Sequence, residues 1–179
     1  MATSTQASRH LIHQRANRQW EAGNLKSAFR LFLAGAKAGE VACQNILGTF
    51  YSDGLGIKPN REKALYWYRV AYRRGDFCAA HNLGILFRDE GNPKAALKWF
   101  ERAVKRGLID TNLDLARIYL DSIPNHKKAI YHLRMILKAE PLREVSRDSQ
   151  AKARHILKKL KVAVPRLRAI GREWHRSVA

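Results

Sequence analysis

Few residues in this chain have the type and spacing that chemistry requires. His10 and His13 stand at i and i+3, a spacing that sets two imidazoles on one face of a helix and suits a pair of metal ligands. No third ligand with a recognisable spacing accompanies them, so metal binding is not expected. Cys43 and Cys78 form neither a CxxC motif nor a metal-ligand pattern, and read as free, buried thiols of a reducing compartment. Cys43 lacks a nucleophile signature and no Ser-His-Asp arrangement can be assembled from spacing. Catalysis, a cofactor and a small-molecule substrate are therefore not expected.

Charge is the stronger signal. Thirty-four Lys and Arg against fifteen Asp and Glu leave a formal charge of +19, with an isoelectric point near 10.5. Such a field attracts nucleic acid, acidic protein surfaces or anionic headgroups, without choosing among them. From residue 141 to residue 179 there are eleven Lys or Arg and three acids. Within this segment Arg154, Lys158 and Lys161 fall in one row, and Arg168, Arg172 and Arg176 in another at steps of four. These rows read as the solvated face of a capping element, a surface for an acidic protein, or a phosphate-tracking surface. No RRM, KH, zinc-finger or Gly-rich phosphate motif supports the last.

The elements that must carry these residues are helical. A chain of 179 residues with 46% hydrophobic residues can bury a real core. No stretch approaches the roughly 18 apolar residues of a membrane span, and the N-terminus lacks the apolar core of a signal peptide. A cytoplasmic location is the expectation; the acid-free first twenty residues leave a mitochondrial transit peptide as the alternative.

Internal repetition organises the chain. Leu47-Gly48 recurs as Leu83-Gly84, 36 positions later, and Trp67 recurs as Trp99, 32 positions later. Lys63-Ala64-Leu65-Tyr66-Trp67-Tyr68 matches Ala95-Ala96-Leu97-Lys98-Trp99-Phe100, and a third copy runs through Leu115 to Tyr119 and Lys128 to Tyr131. A more divergent unit containing Trp20, Lys26 to Phe29 and Ala38-Gly39 precedes them. Each unit reads as two helices; Leu25, Phe29, Phe32, Leu33 and Ala36 form one apolar face at helical period. Gly23, Gly39, Gly54, Gly75, Gly91 and Gly107 follow such runs, as left-handed C-terminal caps would. Gly48 and Gly84 sit inside helices, where each costs about 1 kcal/mol relative to Ala, so a neighbouring helix is expected to pack against them too closely for a side chain. Ala64, Ala96 and Ala129 are expected to do the same from the second helices. Trp67, Trp99, Tyr51 and Tyr119 are expected to fill the core between pairs.

The run Leu47, Gly48, Tyr51, Gly54, Gly56 and Ile57, followed by Lys63-Ala64 and Trp67-Tyr68, resembles the Sel-like repeat, a relative of the tetratricopeptide repeat. The second copy departs in its loop, Gly91-Asn92-Pro93, and the third uses Ser122-Ile123-Pro124. The resemblance implies an all-α, right-handed α-solenoid of about four helix-turn-helix repeats over residues 6–140, with a concave face that binds other proteins. Residues 141–179 would add a basic helical cap of two helices, opened by Ser146 or Ser149 and by Pro165, with Ile156, Leu157, Leu160 and Ala163, then Leu167, Ile170 and Trp174, on their apolar sides.

In such superhelices the first helix of each pair lines the groove. Asn45 and Ser52 then fall in register with His81 and Arg88, and Leu113 and Arg117 take similar places in the third copy. An Asn and Arg lining can grip a carboxylate through charge-assisted hydrogen bonds. The leading expectation is a non-enzymatic adaptor for an acidic protein or peptide; the alternative is an RNA- or DNA-binding α-solenoid using the basic C-terminal helices.

Overall fold

The computed structural model describes residues 2–140 and 145–161, and every regular element among them is a helix. The chain divides into two compact units, residues 1–106 and 107–179. The first holds three helix-turn-helix pairs: α1 (Ala2–Glu21) with α2 (Leu25–Lys37), α3 (Val41–Asp53) with α4 (Arg61–Arg73), and α5 (Cys78–Asp89) with α6 (Pro93–Lys105). The second begins with a 3-10 turn at Ile109–Thr111, followed by α7 (Asn112–Asp121), α8 (His126–Lys138) and α9 (Arg147–Lys159).

Starts and stops are written locally. Asn60, Asn92 and Asn125 precede α4, α6 and α8, and the side chain of each accepts a hydrogen bond from the backbone N–H three residues on. Ser146 does the same for α9, from Ser149 N–H; of the two candidate caps, Ser146 is the one used. These caps satisfy donors that a helix cannot pair internally. The glycines at the second-helix ends all have the expected positive φ, among them Gly39 (87°), Gly75 (96°) and Gly107 (94°).

One packing rule recurs in the α3/α4 and α5/α6 pairs. A Cβ built on Gly48 would lie 2.5 Å from the Tyr68 ring, and one on Gly84 would lie 2.4 Å from the Phe100 ring. The first-helix glycine is thus a notch for an aromatic of its own second helix. At the corresponding positions the last pair carries Ala116 and Leu133, both buried in one cluster, a larger notch residue with a smaller knob, as volume exchange in a packed core requires; the first pair carries Ala16 and Phe32, both buried, without that exchange. The expectation for the glycines holds. Ala64, Ala96 and Ala129 are fully buried as well.

Two expectations about buried residues need correction. The aromatics filling the notches are Tyr68 and Phe100, each one residue after a tryptophan. Trp67 and Trp99 are only half-buried against the core, because a one-residue step along a helix rotates the side chain off the core-facing line. Tyr51 and Tyr119 are buried as expected. Cys43 is buried but Cys78 is exposed: it opens α5, where the chain has just left the surface turn at Asp76.

The loop of α3/α4 is four residues longer than that of α5/α6 because it crosses the start of α2. A Cβ on Gly56 would lie 2.7 Å from Leu25 Cβ and 2.9 Å from the Leu25 carbonyl carbon, so backbone rests on backbone there.

Candidate partner-binding faces on the first helices

The notch rule fixes the register of the first helices. Leu47 of α3, Leu83 of α5, Leu115 of α7 and Ala153 of α9 precede the notch position by one residue, and the notch itself is Gly48, Gly84, Ala116 and Arg154. By this register α9 is built like another first helix. It packs on α8 through Ala153 and Leu157, which are fully buried with Leu133, Ile136 and Leu137 of α8 in the same cluster. The buried Gln150 amide donates to the backbone carbonyls of Ile136 (3.3 Å) and Ala139 (3.0 Å) at the end of α8. Gln44 stands at the same register position in α3 and donates to the Ala36 carbonyl of α2 at 3.1 Å. The α9 start is further pinned to the 3-10 turn, since Ser146 N–H and Oγ both lie 3.1 Å from Asp110 Oδ1.

In the first unit each candidate groove residue is engaged by a neighbouring side chain. Asn45 Oδ1 accepts from Asn82 Nδ2 at 2.9 Å, which ties α3 to α5. His81, the residue aligned with Asn45, has its ring 5.5 Å from the Phe100 ring, and Arg88 Nε lies 2.9 Å from Asp89 Oδ1. Ser52 is half-buried beside Tyr68, whose phenol donates to Thr49 Oγ1 at 3.1 Å. Burial raises the Tyr68 pKa from its ordinary value, so this hydroxyl stays protonated.

In the second unit the equivalent face is open. Arg117 of α7 and Ala151, Lys152, His155 and Ile156 of α9 line a cleft of about 310 Å³. Register places Arg117 opposite Ile85 of α5 and Thr49 of α3, not opposite Arg88, whose counterpart is Leu120. The α9 residue at the Arg117 position is His155, which explains why the two share a cleft. Lys152 is ion-paired with Asp148 one turn earlier, whereas no ion pair engages Arg117 or His155 among the described residues. Lys152 and His155 were not singled out in the sequence; their signal is the i, i+3 spacing on α9 once that helix is aligned on Ala153.

The basic rows divide. Arg154 is half-buried at the notch position and Lys158 is exposed four residues on. Lys161 lies beyond the last turn of α9, with φ of 54°. Arg168, Arg172 and Arg176, together with Ala163, Pro165, Leu167, Ile170 and Trp174, lie outside the described residues.

Part of the positive charge has a structural cause. Lys37, Arg73, Lys105 and Lys138 close α2, α4, α6 and α8 at the same register position, where a cation complements the helix dipole by about 0.3–1 kcal/mol. His10 and His13 are each within hydrogen-bond distance of an amide one turn away, Gln14 at 2.9 Å and Asn17 at 3.3 Å. Among the described residues no group of three or more His, Cys, Asp or Glu could hold a metal ion. The Cys43 thiol lies against the Gly35 backbone, and burial, reinforced by Glu40, pushes its pKa up to about 12; it is a packing residue with no thiolate at neutral pH. No helix of the described residues is long and apolar enough to cross a membrane.

Helix pairs repeated in a common register define a tetratricopeptide-like helical-repeat scaffold. The Sel1 repeat family model matches residues 41–76, 79–108 and 110–138, and the chain belongs to that family. The α1/α2 pair lies ahead of the matched residues, with Ala16 and Phe32 buried at the corresponding positions. The chain is 33% identical to a Sel1-like repeat-containing protein of Acanthamoeba polyphaga mimivirus over 96 residues, 53% of this chain and 18% of that protein. It is also 33% identical to an F-box protein of Arabidopsis thaliana over 95 residues, 52% of this chain and 26% of that protein. The chain thus spans about a fifth to a quarter of these relatives. Among solved structures it is similar to a protective antigen of uropathogenic Escherichia coli with an SLR fold, TM-score 0.66 at 18% identity, over 83% of this chain and 33% of that one. A Sel1 repeat protein from Oxalobacter formigenes gives a TM-score of 0.63 at 19% identity, over 84% of this chain and 63% of that one. These likenesses place the fold in the all-α class of Sel1-type α-solenoids. Sel1 repeats form non-catalytic scaffolds that generally mediate protein–protein interaction.

Proposed function

We propose that the chain is a cytoplasmic adaptor that binds an acidic protein or peptide, and that the α7/α9 cleft is its principal contact. The observation that carries this reading is the cleft itself: Arg117, Lys152 and His155 surround an opening whose remaining lining, Ala151 and Ile156, is apolar. A guanidinium offers a planar fork that matches a carboxylate, and the apolar residues would accept an aliphatic side chain next to it. Clefts of this size with a few convergent polar groups are where ligands dock. Asn45, Ser52, His81 and Arg88 would serve as a weaker polar surface, because each is already engaged within its own unit. Of the basic rows, Lys158 and Arg154 would extend the cationic field along α9, with Lys161, Arg168, Arg172 and Arg176 beyond it.

The test is a fluorescence-anisotropy titration of the full chain against a labelled oligoglutamate peptide, random-sequence RNA and duplex DNA, each at two salt concentrations. Saturable peptide binding that is weakened about tenfold by Arg117→Glu, the scale of a lost charge-assisted pair, supports the adaptor. RNA or DNA binding that persists near physiological salt with a steep log-log salt slope, and outcompetes the peptide, would replace it with the nucleic-acid reading.

A further inference from the structure

A second concentration of cations belongs to the first helix pair. Arg15 and Arg18 of α1 and Arg30 of α2, with Gln19, Ser27 and Leu31, line an open cleft of about 430 Å³. Residues 1–39 contain six Lys or Arg and a single acid, Glu21, which does not line the cleft. All three arginines are exposed, and no ion pair or side-chain hydrogen bond engages any of them among the described residues.

That isolation sets them apart from other bases of the same unit. Arg61 is ion-paired with Glu90 and Arg88 with Asp89. The guanidinium of Arg102 lies 4.4 Å from the Trp99 ring centroid and that of Arg106 lies 4.5 Å from the Phe77 ring centroid. Arg15 and Arg30 precede the last turns of their helices, so the helix dipole does not account for them. Three guanidiniums facing one opening repel each other when it is empty, and an anion placed there removes that cost.

The polar lining is rich in donors: three guanidiniums carry five N–H each, with the Ser27 hydroxyl and the Gln19 amide beside them. An acidic stretch spreads its charge along the chain at one carboxylate per residue. The cleft instead brings three guanidiniums from two helices onto the lining of a single opening, a concentration of donors that suits a compact dianion with three acceptor oxygens. A phosphate monoester is such a group, and clusters of arginine are a recurrent means of recognising it on proteins.

We propose that Arg15, Arg18 and Arg30 form a receptor for the phosphate monoester of a phosphorylated serine or threonine on a protein partner. The site is separate from the α7/α9 cleft and makes part of the adaptor's binding dependent on phosphorylation of its partner.

The experiment compares three labelled peptides identical except for phosphoserine, serine or glutamate at the centre, titrated by anisotropy with the full chain, with random-sequence RNA as competitor. The phosphoserine peptide is expected to bind about tenfold more tightly than either of the others, a difference of one or two charge-assisted bonds. Arg15→Gln and Arg30→Gln each remove most of that preference, while Arg73→Gln, an exposed last-turn base, leaves it intact. All three substitutions are at exposed positions, so circular dichroism is expected to show the same helicity. Equal binding of the glutamate and phosphoserine peptides, or an undiminished preference in Arg30→Gln, would overturn the proposal. So would RNA that displaces the phosphopeptide and loses affinity equally in the cleft variants. Because Arg117→Glu is scored separately, failure here is distinguishable from failure of the oligoglutamate reading.

Discussion

The first helices α3 and α5 and the first helices α7 and α9 are built on one register, yet the equivalent face is closed in the first pair and open in the second. Between α3 and α5 an amide pair, Asn45 with Asn82, closes the face, and Arg88 is held by Asp89. Between α7 and α9 the positions of Thr49 and Ile85 are taken by Arg117 and His155, and a cleft opens. The core positions of the register leave the outward positions free to vary, so a repeat can be closed or made receptive through its outward residues without touching its core.

The largest expected effect concerns that shared core. Gly84→Val forces a β-branched side chain onto the Phe100 ring and is expected to lower the stability of the first unit by about 3 kcal/mol, the upper range for overpacking, read by chemical denaturation. The pair Gly84→Ala with Phe100→Leu recreates the Ala116/Leu133 solution of α7/α8 and should be more stable than Gly84→Ala alone. If the double variant is no better, the volume exchange between notch and knob is wrong.

A smaller effect separates the two buried glutamines. Gln150→Leu leaves the Ile136 and Ala139 carbonyls without their donor and should cost about 2 kcal/mol, seen as faster amide exchange at the end of α8. Gln44→Leu should cost less, because Gln44 Oε1 is already buried without a partner and its removal offsets the lost bond to Ala36.

Next in size are the caps. Asn92→Ala and Asn125→Ala should each cost about 1 kcal/mol, and Ser146→Ala more than either, because Ser146 Oγ also bonds Asp110. Thermal melts rank the three.

The smallest effect is confined to the second unit. His132 is stacked on Tyr119 with ring centroids 5.7 Å apart, and its Nδ1 lies 2.8 Å from Asn112 Oδ1. Burial, aided by Lys128, lowers its pKa from 6.5. The unfolded chain therefore takes up a proton first as pH falls, so this contribution is unchanged above about pH 6.5 and is lost as pH drops below it. The second unit should become less stable from pH 7 to pH 5 by amide exchange, and His132→Phe should flatten that dependence relative to the first unit.

The repeat and its helix pairs were legible because glycine and apolar spacing are local signals. Gly48 and Gly84 announced a close approach, though not by which residue; a one-residue rotation separates Trp67 from Tyr68, and only packing resolves it. The Asn caps were equally local, repeated at Asn60, Asn92 and Asn125. The faces were less legible. Asn45 and Arg88 looked like groove ligands because their type and offset were right, but whether a polar residue is free depends on neighbours such as Asn82 and Asp89. Arg117 lies three residues before Leu120, the true counterpart of Arg88, and the offset is hidden in the sequence because the α7/α8 pair lacks the glycine that anchors the alignment. The Arg15, Arg18 and Arg30 cleft joins two helices through a turn and leaves no periodic trace.

The most direct measurement is the affinity of the full chain for a labelled oligoglutamate peptide, compared between Arg117→Glu and Arg88→Glu at one salt concentration. The open-face account predicts about tenfold weaker binding for Arg117→Glu and little change for Arg88→Glu. Equal losses in both variants, or none in Arg117→Glu, would contradict it.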